Sequence, residues 1–190
     1  MIAHDSVDDA DEPPPEVTLG RPQRRFIVRE SRPVDRVVIH ELTMRAYREY
    51  AKTMDPVTWA GLEHALEDAL ASNEPAQRFV AVDGDTLIGS VMLYPPSTPY
   101  GAFTAALSWP EVRLLAVPPE ARGRGVAHAL MTTCVRVAKD AGAAHLGIHT
   151  SRSMRVAMTM YERMGFVRAP EHDFQPAGAE LVEAYRLPLV

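Results

Sequence analysis

The stretch Glu111–Ala127, EVRLLAVPPEARGRGVA, constrains the fold more than any other part of the chain. Val112 to Val117 is dominated by apolar and β-branched residues, as in a buried strand, and Pro118-Pro119 stops it. Arg122-Gly123-Arg124-Gly125 comes next, and a strongly amphipathic segment begins at Val126. The order is strand, tight glycine turn, helix N-terminus. A helix start carries unpaired N–H groups and a partial positive charge, so it accepts phosphate oxygens readily. Gly123 and Gly125 let the backbone come close to an anion because no Cβ intervenes, and Arg122 and Arg124 add positive charge beside it. The stretch reads as a diphosphate cradle.

Two common cradles are excluded. A Walker loop needs Gly-Lys-Ser/Thr, which is missing here. A dinucleotide fingerprint needs a third glycine where His128 stands, and an acid about twenty residues further on. The pattern Arg/Gln-x-x-Gly-x-Gly/Ala is met by Arg122, Gly125 and Ala127. With the preceding Leu114-Leu115-Ala116-Val117, it resembles the acyl-CoA-binding motif of the GNAT acetyltransferase superfamily. A second stretch, Ala157 to Phe166 (AMTMYERMGF), is similar to that family's Ala-x-x-Leu-Tyr-x-x-x-Gly-Phe signature, with Met160 in place of leucine. Met154 stands where the family often carries an asparagine, which removes a polar contact to the CoA arm. The resemblance runs from about Arg24 to Leu189. It implies that acetyl-CoA is held by Leu115, Ala116, Val117, Arg122, Gly123, Arg124, Gly125, Val126, Ala127, Ser153 and Ala157, with no metal.

Bulk properties narrow the partners. At 190 residues the chain suits one well-buried domain. A net charge of −5 with scattered basic residues argues against nucleic acid as partner. No apolar run approaches the length of a membrane span, and no signal-peptide pattern is expected at the start. The single cysteine, Cys134, cannot form an intramolecular disulfide and suits a reducing cytoplasm, the expected location. The expected partners are acetyl-CoA and an amine acceptor, with a homodimer left open. Residues 1–23 are acidic, contain Pro13-Pro14-Pro15 and have few large apolar side chains, so they are expected to form a mobile tail before a single domain spanning 24–190.

Periodicity orders the rest. Arg25 to Arg29 alternates as a strand, and Pro33 suits the first position of a helix. Val34, Val38, Leu42 and Ala46 recur at helical spacing as an inward stripe, with the helix running to about Lys52. A second helix is expected from Thr58 to Ala71, with Leu62, Leu66 and Leu70 inward. Phe79–Val82 and Thr86–Tyr94 flank Asp83-Gly84 as a hairpin, and Phe103–Leu107 is part of a further strand. Val126, Ala129, Leu130, Thr133, Cys134, Val137 and Ala138 form the stripe of the helix after the cradle, which Gly142 caps. Leu146–Thr150 is a strand, Ser153–Met164 a helix ending at Gly165, and Phe166–Arg168 with Ala184–Leu187 a closing antiparallel pair. The fold class is therefore α/β (α+β). Its mixed sheet has an antiparallel first half and a parallel centre, with helices on both faces, and this order of elements matches the GNAT fold.

Expelling a CoA thiolate calls for a proton donor near the sulfur, and the resemblance gives Tyr161 that role; the plain alternative is a core tyrosine on an amphipathic helix. The acceptor amine must lose a proton. Glu111 is the first candidate base, near where family members often carry a glutamate acting through water; a solvated strand-end glutamate is the alternative. His149 and His145 are further candidates. They lie about 13 Å apart on an extended chain, too far to chelate one metal. By resemblance a bulge in the central strand at Leu115 to Val117, Val117 foremost, exposes N–H groups to the oxyanion. Cys134 lies on an apolar stripe and is expected to be buried and inert. Tyr47, Tyr50, Met54, Trp59, Tyr94, Tyr100, Trp109 and His172 to Phe174 are candidates to wall the acceptor site. The resemblance implies acetyl transfer to an amine, with direct attack as the simpler mechanism, and the aromatic character of the wall candidates points to a primary amine carried on a small molecule as the acceptor. A protein lysine or N-terminus is the alternative acceptor, and a non-catalytic acyl-CoA-binding module or a purely structural domain is a rival of another class.

Overall fold

A computed structural model describes residues 26–72, 75–99 and 107–189. The expected tail and Tyr100 lie outside the described residues, as does most of the expected strand Phe103–Leu107. Among the described residues one seven-stranded sheet forms, in the order β1-β2-β3-β4-β5-β7-β6. Its strands are β1 (Ile27–Glu30), β2 (Gln77–Asp83), β3 (Thr86–Tyr94), β4 (Glu111–Ala116), β5 (His145–Thr150), β6 (Val167–Arg168) and β7 (Glu183–Pro188). Only β4 and β5 pair in parallel, joined by the crossover helix α3 (Val126–Asp140); β7 inserts antiparallel between β5 and β6. The mixed sheet is as the sequence implied.

Strand alternation divides the core into two faces. Phe79 and Ala81 of β2 pack with the α3 stripe Val126, Ala129, Leu130, Cys134 and Ala138, and with Tyr161 of α4 (Arg155–Arg163). Val80 and Val82 point the other way, against Ile39 and Met44 of α1 (Arg36–Tyr47) and Leu66 and Leu70 of α2 (Pro56–Ala71). Gly89 of β3 lets α3 begin close to the sheet: a Cβ there would lie 2.7 Å from Val126 Cγ1. At the other end of α3, Gly142 adopts φ +75 and Ala143 N–H closes onto Ala138 O at 3.0 Å, the helix stop expected there.

The first helix departs from the expected stripe. Val34 is 80% exposed and Val38 43% exposed, whereas Asp35, Ile39, Leu42, Thr43 and Ala46 are buried. Leu42 and Ala46 are buried as expected, but in the first half of the stripe Asp35 and Ile39 take the places expected for Val34 and Val38. Asp35 takes Arg29 Nη1 at 2.7 Å and Nη2 at 3.1 Å, and Arg32 N–H at 2.6 Å. A reading that counts only apolar side chains cannot see a buried aspartate. The α-helix also stops at Tyr47, and Arg48–Lys52 continues as a 3₁₀ turn with no buried residue. No helix among the described residues is long and apolar enough to cross a membrane.

Candidate active site

The parallel pair β4–β5 is short. Its register comprises Glu111 with Gly147 and Val112 with Ile148, and beyond these the two strands part. Against β3 the register runs from Met92–Arg113 to Ser90–Ala116, so three steps on β4 match two on β3. The extra residue is accommodated at Leu114, whose φ is +53. The bulge therefore lies within Arg113–Ala116, N-terminal of the expected Leu115–Val117. It breaks the alternation: Leu114 packs with the α1–α2 side, while Val112 and Leu115 pack with the α3 side. Bulge and parting together leave the β4 edge from Arg113 onward without a β5 partner.

The cradle lies at the same end of the sheet. Gly125 is the N-cap of α3 at φ +78 and supplies no side-chain cap, so the first-turn N–H groups of α3 have no acceptor within the helix. Gly123 adopts φ +72, and a Cβ at either glycine would meet nothing within 4 Å. The space above the turn is clear. Arg122 pairs with Glu49 at 2.5 Å and donates from Nε to Val117 O at 3.2 Å, and Arg124 pairs with Asp83 at 2.5 Å. These bridges are largely exposed, worth roughly 0–1 kcal/mol each, so an arriving anion can displace either carboxylate. Tyr50, in the turn with Glu49, has its phenol pushed up by burial, an effect the Arg122 charge opposes. A groove of about 450 Å³ between α3 and α4 is lined by His128, Val156, Thr159, Met160 and Arg163. A cavity of about 490 Å³ at the C-terminal end of α3, lined by Tyr94, Trp109, Pro110 and Gly142 among others, lies away from the cradle and adjoins the start of β4.

Glu111 is not a solvated strand end; it is 3% exposed. Oε2 accepts Arg113 Nε at 2.8 Å and Nη2 at 2.6 Å, and Oε1 meets His149 Nδ1. Arg113 Nη1 and Nη2 also donate to Pro99 O and Thr98 O, and its guanidinium lies 4.4 Å from the Tyr94 ring centroid. His149 Nε2 faces His172 O at 3.1 Å and its ring meets Phe174 edge-on. A buried chain thus runs Arg113–Glu111–His149–His172 across the point where the strands part. Asp173 is next, its carboxyl held below the usual range first by Arg168 and then, against the opposing effect of burial, by Ala184 N–H.

Sequence similarity agrees with this geometry. A family model described as "Acetyltransferase (GNAT) family" matches residues 38–166, more than half of the chain. The chain belongs to the GNAT family. Mycothiol acetyltransferase of Geodermatophilus obscurus is 28% identical over 123 residues, covering 64% of this chain and 38% of that protein. N-alpha-acetyltransferase 30 of Schizosaccharomyces pombe is 33% identical over 98 residues, covering 50% and 59%. The chain therefore spans less than two thirds of either relative. A GNAT acetyltransferase from Brucella melitensis, solved in complex with acetyl-CoA, shares the fold at TM-score 0.55 and 19% identity, covering 88% of this chain and 90% of that one.

The remaining GNAT-motif residues are placed as follows. Tyr161 is buried on α4 with its ring 5.7 Å from Phe166, and Ala157 packs on the same core. Ser153 precedes α4 in a 3₁₀ turn, and Glu180 takes both its N–H (3.2 Å) and its hydroxyl (2.8 Å). Its donors are thus spent on the chain itself. Cys134 is buried, its thiol pushed up to about 12 by desolvation. Among the acceptor-wall candidates, Tyr47 and Tyr50 meet edge-on at 5.8 Å, whereas Trp109 covers Gly147 and contacts His145 and His172. Sequence reasoning missed Arg113, Glu49, Asp83 and Glu180. Glu49, Asp83 and Glu180 meet partners from distant elements, and Arg113 meets Glu111 two residues away on β4 together with the carbonyls of Thr98 and Pro99. Among the described residues no group of three or more His, Cys, Asp or Glu is placed to hold a metal ion.

Proposed function

We propose that the chain transfers an acetyl group from acetyl-CoA to a primary amine by direct attack, with a small-molecule amine as acceptor. One arrangement carries the reading. The uncapped, glycine-bounded start of α3 opens at the sheet end where β4 and β5 part, and buried Glu111 stands at that parting. Arg122, Gly123, Arg124, Gly125, Val126 and Ala127 would receive the diphosphate, through backbone N–H groups, helix dipole and displaced arginines. Leu115, Ala116 and Val117 would lie along the acyl arm, with N–H groups of the bulged strand available to the oxyanion.

Glu111 serves as the base, reached through water. His149, the other candidate, is bonded to it, so the two act as one proton-accepting unit, with Arg113 fixing the carboxylate. Tyr161 donates to the departing sulfur. The similarity to mycothiol acetyltransferase and the Tyr47–Tyr50 wall support a compact acceptor. The similarity to N-alpha-acetyltransferase 30 supports a second reading, a protein N-terminus.

Thermal denaturation with and without acetyl-CoA tests the donor site, because a ligand bound only to the folded state raises the melting temperature. Mass analysis after incubation with amine and peptide panels tests the acceptor. Acetylated peptides with no acetylated small amine would sink the leading version. Tyr161→Phe should lower kcat at least tenfold and leave acetyl-CoA affinity within twofold; unchanged turnover removes Tyr161 from the mechanism. If no amine is acetylated although acetyl-CoA binds, the chain is a non-catalytic acyl-CoA-binding module.

A further inference from the structure

The partners of His149 fix where its protons are. A backbone carbonyl has no proton to give, so where Nε2 meets His172 O at 3.1 Å the imidazole donates, and Nε2 carries hydrogen. In a neutral imidazole the other nitrogen, Nδ1, is then a bare lone pair. Nδ1 meets Glu111 Oε1, and a carboxylate oxygen is itself an acceptor. Two lone pairs do not bond, and the side chains of His149 and Glu111 are only 1% and 3% exposed. The Arg113 donors go to Oε2 and leave Oε1 to the histidine. One proton therefore lies between Nδ1 and Oε1.

A short turn after β6 holds the carbonyl in place. His172 closes the 3₁₀ turn Pro170–His172, where its N–H returns to Ala169 O at 2.9 Å and Asp173 N–H to Pro170 O at 3.2 Å. Asp173 ties the end of the turn to Arg168 and, at 2.8 Å, to the N–H of Ala184, the β7 residue opposite His149. Phe174 meets the imidazole edge-on at 5.3 Å between centroids. The ring cannot change tautomer without losing His172 O. The charged groups about the pair are Arg113 from β4 and, from the β6–β7 side, Asp173 with its partner Arg168. Arg168 chiefly, and the His149 charge in addition, hold the Asp173 carboxyl low. The ring of His172 itself packs on Trp109, with Nε2 at 4.0 Å from Glu171.

Resting on the acetyl-transfer reading above, we infer that Glu111 and His149 form a one-proton device whose tautomer is locked by His172 O. At rest a single proton is shared between Oε1 and Nδ1, and the pair accepts the proton of the amine only after this one has left to solvent. The emptied pair sets a lone pair against a carboxylate oxygen, an opposition that one proton relieves. In the accepting step a bond from hydrogen to the amine nitrogen breaks, water relays the proton, and a bond forms at Oε1 or Nδ1. The device is then back at rest and must be emptied before the next turnover. His149 is a positioning residue that acts through Glu111, and Nε2 stays protonated throughout.

The test is nitrogen NMR of the ligand-free protein with labelled histidine over a pH series, single histidine-to-glutamine variants assigning the seven histidines. One transition is expected at His149: Nδ1 passes from the protonated to the bare range, while Nε2 stays protonated on both sides. A bare Nε2 at any pH in the folded protein, or an Nδ1 bare throughout, overturns the inference. Turnover supplies a second readout. The acid limb of kcat/KM should follow the Nδ1 transition, and in His149→Gln it should move to lower pH by about one unit or more, because glutamine holds no ionising proton. A limb unmoved in His149→Gln overturns the inference. An Nδ1 transition as expected in a protein that acetylates no amine overturns the acetyl-transfer reading instead, and the role of the device with it.

Discussion

Substituting Gly125 with glutamate separates backbone strain from loss of an anion site. Gly125 sits at φ +78, where a side chain costs about 1–2 kcal/mol. No steric penalty is added, because a Cβ there meets nothing within 4 Å. The new carboxylate lies at the N-terminus of α3 and regains about 0.3–1 kcal/mol from the helix dipole. The net cost is about 0–1.7 kcal/mol. At 2–4 °C per kcal/mol for a domain of this size, the melting temperature should fall by at most about 7 °C. Acetyl-CoA at a hundredfold excess over its dissociation constant stabilises the parent by about 2.7 kcal/mol, or roughly 5–11 °C. In Gly125→Glu that gain should vanish, because a fixed anion occupies the cradle. The variant would be nearly as stable as its parent and unresponsive to acetyl-CoA. Differential scanning fluorimetry over an acetyl-CoA series measures both quantities. A parent-like ligand shift in the variant would refute the cradle reasoning.

Glu111→Gln should destabilise by about 3–5 kcal/mol, since it strips the buried Arg113 and His149 of their anionic partner; a loss under 1 kcal/mol by chemical denaturation would contradict the buried chain. Cys134 should resist thiol reagents at neutral pH in the folded protein and react only on unfolding, because burial holds its thiol near 12; stoichiometric labelling without denaturant would disprove this. The carboxyls of Asp35 and Asp173 are held low by Arg29 and Arg168, so their contribution is complete above the unfolded aspartate value near 3.9 and is lost as pH falls through the lower folded values. Asp35→Asn combined with Asp173→Asn should flatten the loss of stability below about pH 4; an unchanged acid limb would exclude both pairs as its source.

The fold was largely legible because apolar spacing carries it. The stripe of α3, the Asp83-Gly84 hairpin and the glycine stops at Gly142 and Gly165 are local patterns with local causes. The failures share one cause, which is polar burial. In the first half of the α1 stripe Asp35 is buried where Val34 was expected, its carboxylate satisfied by Arg29 from a different element. Glu111 read equally well as a solvated strand end, because its burial depends on Arg113 two residues along the strand and on His149 from the neighbouring strand.

The site follows the same division. Gly123 and Gly125 were readable because a left-handed backbone at a helix start demands a particular residue type. The position of the bulge was not, because any L-residue can be forced to φ +53 when pairing on both sides requires it, and here that residue is Leu114. Ser153 shows the converse. The resemblance placed it at the cosubstrate, yet Glu180 claims both of its donors, and Glu180 is itself tied through its N–H to Thr58 Oγ1 at the start of α2. That link joins α2 to the turn that launches α4 and Tyr161. A motif identifies which residues are available for a ligand, but competition from the rest of the chain decides which of them are free to bind it.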